Sequence, residues 1–376
     1  MPKMKAAVLE EMGLPRPYAK SNPLQIQELS LEAPGPGEVL IQIKAVGLCH
    51  SDLSVINGDR PRPTPMVLGH EAAGRVAECG EGVNDLRPGD HVVLAFVPSC
   101  GACLPCMEGR PALCEPGAEA NRVGTLLSGA RRLHQGDRPI HHHIGVSGFA
   151  EYAVVSRRSV IKVDESLSSA EAALFGCAVL TGVGAVVNTA KVPAGASVAV
   201  VGLGGVGLNS LLAAGLVGAR EIIAIDMNPQ KLKIASTLGA TRTFEAGPST
   251  VADVRDFTGG GLDYAFEMAG SASALALAYG VTKRGGTTIT AGLPHPDRQF
   301  AFAPVQLVAE ERAIKGSYFG SCVPARDIPR YISLFRQGKL PIDRLVTRSV
   351  RLAEINDAFD QLADGQVVRQ VLVFDS

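Results

Sequence analysis

The chain has 376 residues, of which 46% are apolar and 19% charged, and its formal net charge is −1. This composition supports a large core in roughly two or three domains and excludes a disordered chain. The charge balance makes nucleic acid an unexpected partner, and no apolar run approaches the roughly 18 residues of a membrane span. The N-terminus lacks a signal-peptide pattern, so we expect a cytoplasmic protein whose 8 cysteines stay reduced.

The first part of the chain, residues 1 to about 115, is predicted to be an irregular, mainly β unit. Short apolar runs such as 39–43 and 91–95 are separated by turns rich in glycine and proline. The polar stretch 115–147 shows little periodicity and is predicted to be a long loop, either functional or covering a neighbouring element.

The rest of the chain begins with a helix signal and continues as alternating strands and helices. Residues 168–171 (Ser-Ser-Ala-Glu) can cap and start a helix. Residues 197–315 alternate apolar strands, such as 286–291, with helical stretches, which predicts a parallel sheet. A helix at 328–337 and a final strand at 371–374 are interpreted as a return to the first domain.

Cys49, His70 and Cys177 are far apart in the sequence. Taken singly, each is more often a packed or surface residue than a metal ligand. Together they supply two thiolates and one imidazole, which is the protein-ligand set of a catalytic zinc with an open fourth position.

Four further cysteines lie within fifteen residues, with the spacing Cys-x2-Cys-x2-Cys-x7-Cys: Cys100, Cys103, Cys106 and Cys114. Four thiolates in a small loop suit a tetrahedral zinc whose positions are all filled by protein, so its role would be structural. An iron–sulfur cluster and unligated thiols remain alternatives at this point, although zinc is favoured.

The stretch Val198–Asp226 predicts a dinucleotide-binding βαβ unit. A buried strand is followed by the turn Gly202-Leu203-Gly204-Gly205-Val206-Gly207, then by a helix, and then by a second strand that ends in Asp226. The three glycines of the fingerprint permit a tight turn, approach of the backbone to a pyrophosphate, and close helix packing. A carboxylate at Asp226 suits the ribose hydroxyls and repels a 2′-phosphate, which favours NAD over NADP. The alternative is a glycine turn that binds nothing.

These motifs, taken together, resemble those of the zinc-dependent medium-chain alcohol dehydrogenases over essentially the whole chain. The long segment after Cys114 resembles the longer-chain, liver-like branch of that family. The resemblance implies an α/β protein with a GroES-like, mainly-β catalytic domain and a Rossmann domain with a doubly wound parallel sheet. We expect the catalytic domain at 1–178, the Rossmann domain at 179–318, and a return to the catalytic domain at 319–376, with the site in the cleft between the domains.

The resemblance also implies roles for individual residues, starting with those around two zinc ions per chain. Cys49, His70 and Cys177 correspond to the catalytic zinc ligands, and the four clustered cysteines to the structural zinc ligands. Asp52 corresponds to the acceptor that orients the ligating histidine. Ser51 corresponds to the hydroxyl that takes the substrate proton, and Glu71 to a carboxylate that can approach the metal.

A second group of residues corresponds to the contacts of the family with NAD. The implied contacts are His50 and Arg369 at the pyrophosphate, Thr181 and Val206 at the nicotinamide, Asp226 and Lys231 at the ribose, and Leu293 together with Gly202, Gly204, Gly205, Val206 and Gly207 along the nucleotide.

Three positions depart from the liver-like pattern. Ser54 stands where that branch carries the histidine of the proton relay, so no path beyond Ser51 is predicted. His143 replaces an aromatic residue of the substrate pocket and Arg60 replaces an apolar one, whereas Phe96 keeps its place. Arg60 and His143 suggest a more polar pocket, or a substrate with an anionic or hydroxylated end.

Several other residues are interpreted as structural. The run 141–143 (His-His-His) is taken as a strand-leading segment in which one residue faces the pocket, rather than as a metal site. Cys79 and Cys322 belong to no motif.

The leading function is therefore reversible oxidation of a primary or secondary alcohol by NAD. A polyol, threonine or thiol-adduct dehydrogenase is the alternative on the same scaffold, and a non-catalytic NAD-binding protein is the remote one. The arginine that glutathione-dependent formaldehyde dehydrogenases carry after the fourth zinc-loop cysteine is replaced here by the stretch 115–119, so that substrate ranks lower. The expected partners are a small alcohol or carbonyl compound and a second copy of the chain in a homodimer, with a homotetramer as the alternative.

Overall fold

The computed structural model describes residues 3–374. Eighteen strands are formed in this range, in chain order: β1 (Lys3–Leu9), β2 (Leu24–Leu31), β3 (Glu38–Gly47), β4 (Met66–Val67), β5 (Glu71–Cys79), β6 (His91–Leu94), β7 (Leu133–Gln135), β8 (Arg138–His142), β9 (Tyr152–Ser156), β10 (Val160–Lys162), β11 (Ser197–Val201), β12 (Glu221–Asp226), β13 (Arg242–Glu245), β14 (Leu262–Glu267), β15 (Thr282–Thr290), β16 (Ala313–Gly316), β17 (Val346–Val350) and β18 (Arg369–Val373).

Thirteen α-helices lie in the same range: α1 (Tyr18–Ser21), α2 (His50–Ile56), α3 (Leu104–Met107), α4 (Glu115–Val123), α5 (Ser169–Leu174), α6 (Ala178–Gly184), α7 (Gly205–Leu216), α8 (Pro229–Thr237), α9 (Thr250–Thr258), α10 (Ala272–Val281), α11 (Pro304–Ala309), α12 (Pro324–Arg336) and α13 (Ile355–Ala363). None of the helices within residues 3–374 combines the length and the apolar character needed to cross a bilayer.

The chain divides into two compact units. The first comprises residues 1–177, 323–332 and 346–376, and the second comprises residues 178–322 and 333–345. The second unit thus begins directly after Cys177. The domain boundaries drawn from the sequence stay a prediction.

The first unit is built on two sheets. One is a closed barrel with the strand order β1-β2-β7-β8-β4, and the other has the order β10-β6-β5-β3-β18-β17 with β9 paired to β3. Alternating apolar residues of β1 and β2, such as Ala6, Val8 and Leu29, fill the barrel and are at most 1% exposed. Strand β18 lies beside β3 and so returns the end of the chain to this unit.

The second unit is a six-stranded parallel sheet with the order β13-β12-β11-β14-β15-β16. This order, 3-2-1-4-5-6 within the unit, is that of a doubly wound dinucleotide-binding sheet, and it confirms the predicted Rossmann fold. The central strands carry unbroken apolar runs because helices cover both faces of a parallel sheet. Strand β11 is buried at all five positions.

The predicted helix start at Ser168 is confirmed as a capping box. The Ser168 hydroxyl accepts a hydrogen bond from Glu171 N, and the Glu171 carboxylate accepts one from Ser168 N. The bounds predicted for three later elements were displaced, since the structure forms α12 at Pro324–Arg336, β15 at Thr282–Thr290 and β18 at Arg369–Val373.

The prediction of one long loop over 115–147 was wrong. Helix α4 forms because the Cys114 side chain accepts a hydrogen bond from Gly117 N and because Gly124 ends the helix in the left-handed conformation, with φ 70°. Strands β7 and β8 then pair as a hairpin. Each element is too short to produce a visible periodicity, which is why the sequence pattern did not reveal them.

A buried polar network holds this segment against the barrel. Glu38 is 2% exposed and accepts hydrogen bonds from Ser128 Oγ (2.6 Å) and Arg132 Nε (3.0 Å). Arg132 also pairs with Glu32 at 2.8 Å, and its backbone N donates to His142 Nε2 at 3.0 Å. The network therefore fixes β8, and with it His143, the residue that follows this strand.

Candidate functional site

Cys49, His70 and Cys177 come together in the first unit, where their sulfur and nitrogen atoms all lie within 4.8 Å of one another. Cys49 follows β3 and stands immediately before α2, His70 immediately precedes β5, and Cys177 follows α5. All three are buried, with 6%, 0% and 5% of their surface exposed. Three separate segments thus meet at one enclosed point.

The donor set fits a zinc ion. Nε2 of His70 is buried and has no hydrogen-bond partner within the described chain, and this is the free ring nitrogen that a metal would take. The other ring nitrogen, Nδ1, lies 3.1 Å from Asp52 Oδ1, and Gly69 N donates to the same oxygen at 3.1 Å. A carboxylate in this position orients the imidazole and raises its basicity.

The two thiols of this set influence each other strongly. A hydrogen bond from the Cys177 thiol lowers the pKa of Cys49 well below its ordinary value, although burial opposes that shift. The same hydrogen bond, together with burial, raises the pKa of Cys177 well above its ordinary value. Only one of the two thiols can therefore ionise easily by itself. A divalent cation would stabilise both thiolates at once.

A buried ion pair lies next to this donor set. Glu71 follows His70 in sequence and pairs with the guanidinium of Arg369 at the start of β18. Glu71 is 0% exposed and Arg369 is 4% exposed, and burial raises the pKa of Glu71 to about 7. Arg369 Nη1 also donates to the Leu48 carbonyl at 3.4 Å. The role of Arg369 at a pyrophosphate stays a prediction.

Aromatic and polar side chains border the donor set. The ring of Phe96 stands edge-on to His70, with centroids 5.1 Å apart. The ring of His143 lies 5.9 Å from that of His70, and its Nε2 is 3.5 Å from Asp52 Oδ1. Ser51 is half-buried in the first turn of α2. The structure thus brings Phe96, His143 and Asp52 around His70.

Cys100, Cys103, Cys106 and Cys114 form the second donor set, and their sulfur atoms also lie within 4.8 Å of one another. Backbone amides are directed at the sulfurs: Cys103 N donates to Cys100 Sγ at 3.2 Å, Cys100 N to Cys114 Sγ at 3.1 Å, and Gly117 N to Cys114 Sγ at 3.3 Å. Amide donors of this kind stabilise thiolates, so the lobe is suited to a metal.

The four thiols of this lobe differ in how easily they ionise. Amide hydrogen bonds from Ala102 and Cys103 lower the pKa of Cys100 to about 6, whereas burial raises the pKa of Cys106 to about 12. Four thiols this close ionise together only if a cation offsets their mutual repulsion. Four cysteines are the donor set of both a structural zinc site and an iron–sulfur cluster.

The glycine loop of the second unit has the geometry that a dinucleotide requires. Gly202 has a φ of 91°, which a side chain would strain. A Cβ on Gly207 would lie 1.8 Å from the Gly202 carbonyl oxygen, so only glycine lets α7 approach β11 this closely. A Cβ on Gly204, by contrast, would meet nothing within 4 Å, which leaves the loop open where a pyrophosphate would approach α7.

A cavity of about 450 Å³ lies beside this loop and is lined by Gly202, Asp226, Met227, Gly247 and neighbouring residues. No lysine or arginine is among the described residues that line it. Asp226 is half-buried, and its carboxylate accepts hydrogen bonds from Leu203 N at 2.6 Å and from Asn228 N at 2.9 Å. The carboxylate is therefore held rigidly at the wall of the cavity.

The other predicted cofactor residues lie on elements around the loop or in the first unit. Ser210 of α7 donates to the Gly182 carbonyl of α6 at 3.1 Å, so Thr181 and Val206 stand on adjoining helices. Lys231 is in the first turn of α8, and Leu293 is 43% exposed after β15. His50 is the first residue of α2.

The remaining residues singled out in the sequence have ordinary contacts. His141 Nδ1 lies 3.0 Å from the Pro65 carbonyl, and Ser54 Oγ donates to the His50 carbonyl at 2.9 Å. Cys322 donates to the Leu180 carbonyl at 3.3 Å, and Cys79 to that of Leu86 at 3.6 Å. Each of these contacts joins a side chain to a backbone carbonyl, so we interpret them as structural.

One charged neighbour of the site was missed. Arg62 lies electrostatically close to His143, as does Arg60, and both arginines act to lower the pKa of His143, after burial and His70. The pair of arginines in the run Arg60-Pro61-Arg62-Pro63 is a signal that could have revealed it.

Comparisons with known proteins agree with this geometry. Residues 35–165 match the alcohol dehydrogenase GroES-like domain, and residues 205–337 match the zinc-binding dehydrogenase domain. A Mycobacterium tuberculosis protein with the provisional name alcohol dehydrogenase D is 38% identical over 375 residues, covering 99% of this chain and 100% of that protein. An Escherichia coli S-(hydroxymethyl)glutathione dehydrogenase is 38% identical over 360 residues, covering 94% and 97%. The crystal structure of benzyl alcohol dehydrogenase from Acinetobacter calcoaceticus superposes with a TM-score of 0.92 at 32% identity, covering 100% of both chains.

Proposed function

Because this chain belongs to the zinc-dependent medium-chain alcohol dehydrogenase family, it is an oxidoreductase that acts on alcohols and uses zinc and a nucleotide cofactor, and we propose that it oxidises primary or secondary alcohols with NAD at a catalytic zinc. Cys49, His70 and Cys177 would hold this zinc, and three protein ligands are the set found in catalytic zinc sites, which also bind the substrate. The four cysteines at 100–114 hold a second, structural zinc.

A zinc ion held by Cys49, His70 and Cys177 would supply Lewis-acid polarisation of the substrate oxygen, and a bound nicotinamide would supply the hydride acceptor. Ser51 takes the proton that the alcohol releases. Asp52 keeps the His70 ring in one orientation through the 3.1 Å contact with Nδ1. Phe96, which is 8% exposed, shields the donor set from water.

The observation that carries this proposal is the unpartnered Nε2 of His70 beside two buried thiols. The test is NADH formation from a panel of primary, secondary and aromatic alcohols, combined with metal analysis of the same preparation. We expect turnover and two zinc ions per chain. Full activity with one zinc per chain, or none, would contradict the assignment of the catalytic zinc.

A thiol-adduct dehydrogenase is the second candidate, and it is favoured by the similarity to the Escherichia coli enzyme. S-(hydroxymethyl)glutathione therefore belongs in the same panel. A kcat/KM for this compound far above that for simple alcohols would make it the preferred function.

The specificity for NAD is supported by the carboxylate at the cavity wall and by the lack of a cation among the described lining residues. Substituting Asp226→Asn removes the repulsion of a 2′-phosphate and keeps an oxygen for the backbone donors. We expect kcat/KM with NAD to fall about 10- to 100-fold, because a charged hydrogen-bond acceptor for the ribose is lost. The ratio of NADP to NAD activity should rise, as measured from initial rates with each cofactor.

Glu245→Gln is the matched control for this substitution. Glu245 lies opposite Asp226 in the register of the parallel strands, but it is exposed and does not line the cavity. The control should leave the cofactor preference unchanged. A wild-type protein that already prefers NADP would contradict the assignment of NAD.

A homodimer is supported by the free edge of the parallel sheet. Strand β16 is last in the strand order, and the preceding helix α11 exposes Val305 (70%) and Val308 (78%). A second copy that adds to this edge would cover both the backbone groups and the apolar surface. We expect a mass of about twice 39.2 kDa by sedimentation equilibrium.

The substitution Val308→Asp should shift the equilibrium between monomer and dimer toward the monomer. Ile26→Asp, at another exposed apolar position, should leave that equilibrium unchanged. A wild-type monomer at all concentrations would exclude the dimer, and a mass four times that of the chain would replace it by the tetramer.

We propose the cytoplasm as the compartment, because the six cysteines of the two donor sets must stay reduced to bind a metal. An oxidised, disulfide-linked protein isolated from its own cells would contradict this proposal.

A further inference from the structure

Glu267 is a buried carboxylate that forms no ion pair with a cation of residues 3–374. It is the last residue of β14 in the second unit, and it is 1% exposed. Its Oε1 accepts hydrogen bonds from Ala269 N at 2.8 Å and from Gly270 N at 2.5 Å, and its Oε2 accepts one from Thr290 Oγ1 at 2.6 Å. These donors offset the loss of water around the buried charge, because hydrogen bonds to an ionised acceptor are stronger than neutral ones.

The two loops that Glu267 joins follow neighbouring strands of the parallel sheet. Glu267 lies opposite Thr290, the last residue of β15, in the register of the two strands. The backbone adds a second link, since Ala291 N donates to the Glu267 carbonyl at 3.1 Å. One side chain therefore fixes both the turn 268–270 and the stretch 291–293. Both lie at the carboxyl edge of the sheet, where open parallel sheets bind their ligands.

The turn after β14 is packed between the glycine loop and the stretch after β15. A Cβ on Gly202 would lie 2.7 Å from Ala269 N, and a Cβ on Gly292 would lie 2.3 Å from the Cα of Gly270. Ala269 also lines, together with Gly202, the cavity of about 450 Å³ beside the glycine loop. A shift of this turn would therefore change the wall of that cavity.

We propose that Glu267 is a positioning residue for the nucleotide cofactor. Its carboxylate holds the turn 268–270 against Gly202, so that the wall of the cavity is formed before the cofactor binds. The stretch 291–293 is held by the same carboxylate and includes Leu293, a predicted contact of NAD. This inference rests on the proposed binding of NAD at the glycine loop. A wall that is already ordered lowers the entropy cost of binding.

The test measures the Kd of NAD for the metal-loaded, full-length protein by isothermal titration calorimetry. In Glu267→Ala the three donors lose their acceptor and the turn is released, so we expect the Kd to rise about 10- to 100-fold. Glu267→Gln keeps one oxygen for the two backbone N–H groups, and its amide can donate to the Thr290 hydroxyl. The Kd of this variant should stay within a few fold of the wild-type value. Neither substitution should change the metal content.

Gly292→Ala tests the same geometry while the carboxylate is kept. The added methyl group would meet the backbone of Gly270 and push the two loops apart, so the Kd of NAD should again rise about 10- to 100-fold. Gly316→Ala is the matched control, because Gly316 ends β16 of the same sheet and a Cβ there would meet nothing within 4 Å. Glu245→Ala, at an exposed glutamate that ends β13, is the control for Glu267→Ala. Both controls should bind NAD as the wild type does.

The outcomes separate this inference from the proposed function. A wild-type protein that binds no NAD would contradict the proposed function itself. An unchanged Kd in folded, metal-loaded Glu267→Ala would overturn the inference alone, and where that variant does not fold, an unchanged Kd in Gly292→Ala would do so. An equal rise of the Kd in Glu267→Ala and Glu267→Gln would also overturn it, because the hydrogen bonds to the two loops would then not be the cause.

Discussion

Replacing Cys177 by serine is expected to abolish alcohol oxidation while the fold survives. Cys177 is one of the three buried residues that we propose as zinc ligands, and a serine hydroxyl is a poor substitute for a thiolate at zinc. Loss of the Lewis acid removes several kcal/mol of transition-state stabilisation, so kcat/KM should fall about 10³-fold or more. Metal analysis should show one zinc ion fewer per chain, and circular dichroism should be unchanged.

Cys322→Ser is the matched control for this experiment. Cys322 is equally buried, and its thiol donates to the Leu180 carbonyl, a bond that a serine hydroxyl can replace. This variant should keep both zinc ions and most of its activity. If Cys177→Ser retained wild-type turnover with the full zinc content, Cys177 would not be a ligand of the catalytic metal.

Replacing Cys114 by serine is expected to destabilise the lobe at 100–114 without altering the chemistry of the active site. Cys114 Sγ accepts backbone hydrogen bonds from Cys100 and Gly117, and it caps α4. Structural zinc contributes on the order of 10 kcal/mol to the folding of small zinc domains, so a lost ligand should lower the free energy of unfolding by about 4 kcal/mol or more. The half-life of thermal inactivation should shorten accordingly.

Hydrogen exchange of peptides that cover residues 100–114 should accelerate in this variant, while peptides of β11 remain protected. Cys79→Ser, a half-buried thiol outside the lobe, should change neither the zinc content nor the exchange. Metal analysis of the wild-type protein also decides between zinc and iron in this lobe. A lobe that keeps its protection after Cys114→Ser would show that no metal holds it.

The dinucleotide unit and the four-cysteine lobe could be predicted because their information is local. The strand, the glycine turn, the helix and the strand that ends in Asp226 are contiguous in the sequence. Glycine is required at the fingerprint positions for steric reasons that apply to any chain with this pattern. The doubly wound order of the sheet follows from the same alternation of strands and helices. The thiols of the lobe lie within fifteen residues, so their spacing alone implies proximity.

The dispersed ligand set could not be derived in this way. Cys49, His70 and Cys177 are brought together only by the packing of β3, β5 and α5, and before the fold is known they are named by resemblance to a family. The helix and hairpin within 115–147 were missed for a related reason. Both elements are too short to show a periodicity, and the segment between them is held by contacts of Glu38 with Ser128 and Arg132 across almost a hundred residues of sequence.

The amino-acid sequence by itself thus determined the cofactor fold and the cysteine lobe, and through resemblance it predicted the metal ligands. Only the tertiary structure decided that Glu71 pairs with Arg369, that Nε2 of His70 is left without a partner, and that His143 stands near two arginines. The physical reason is that burial and charge proximity depend on long-range packing. The pattern of residues along the chain does not encode such packing directly.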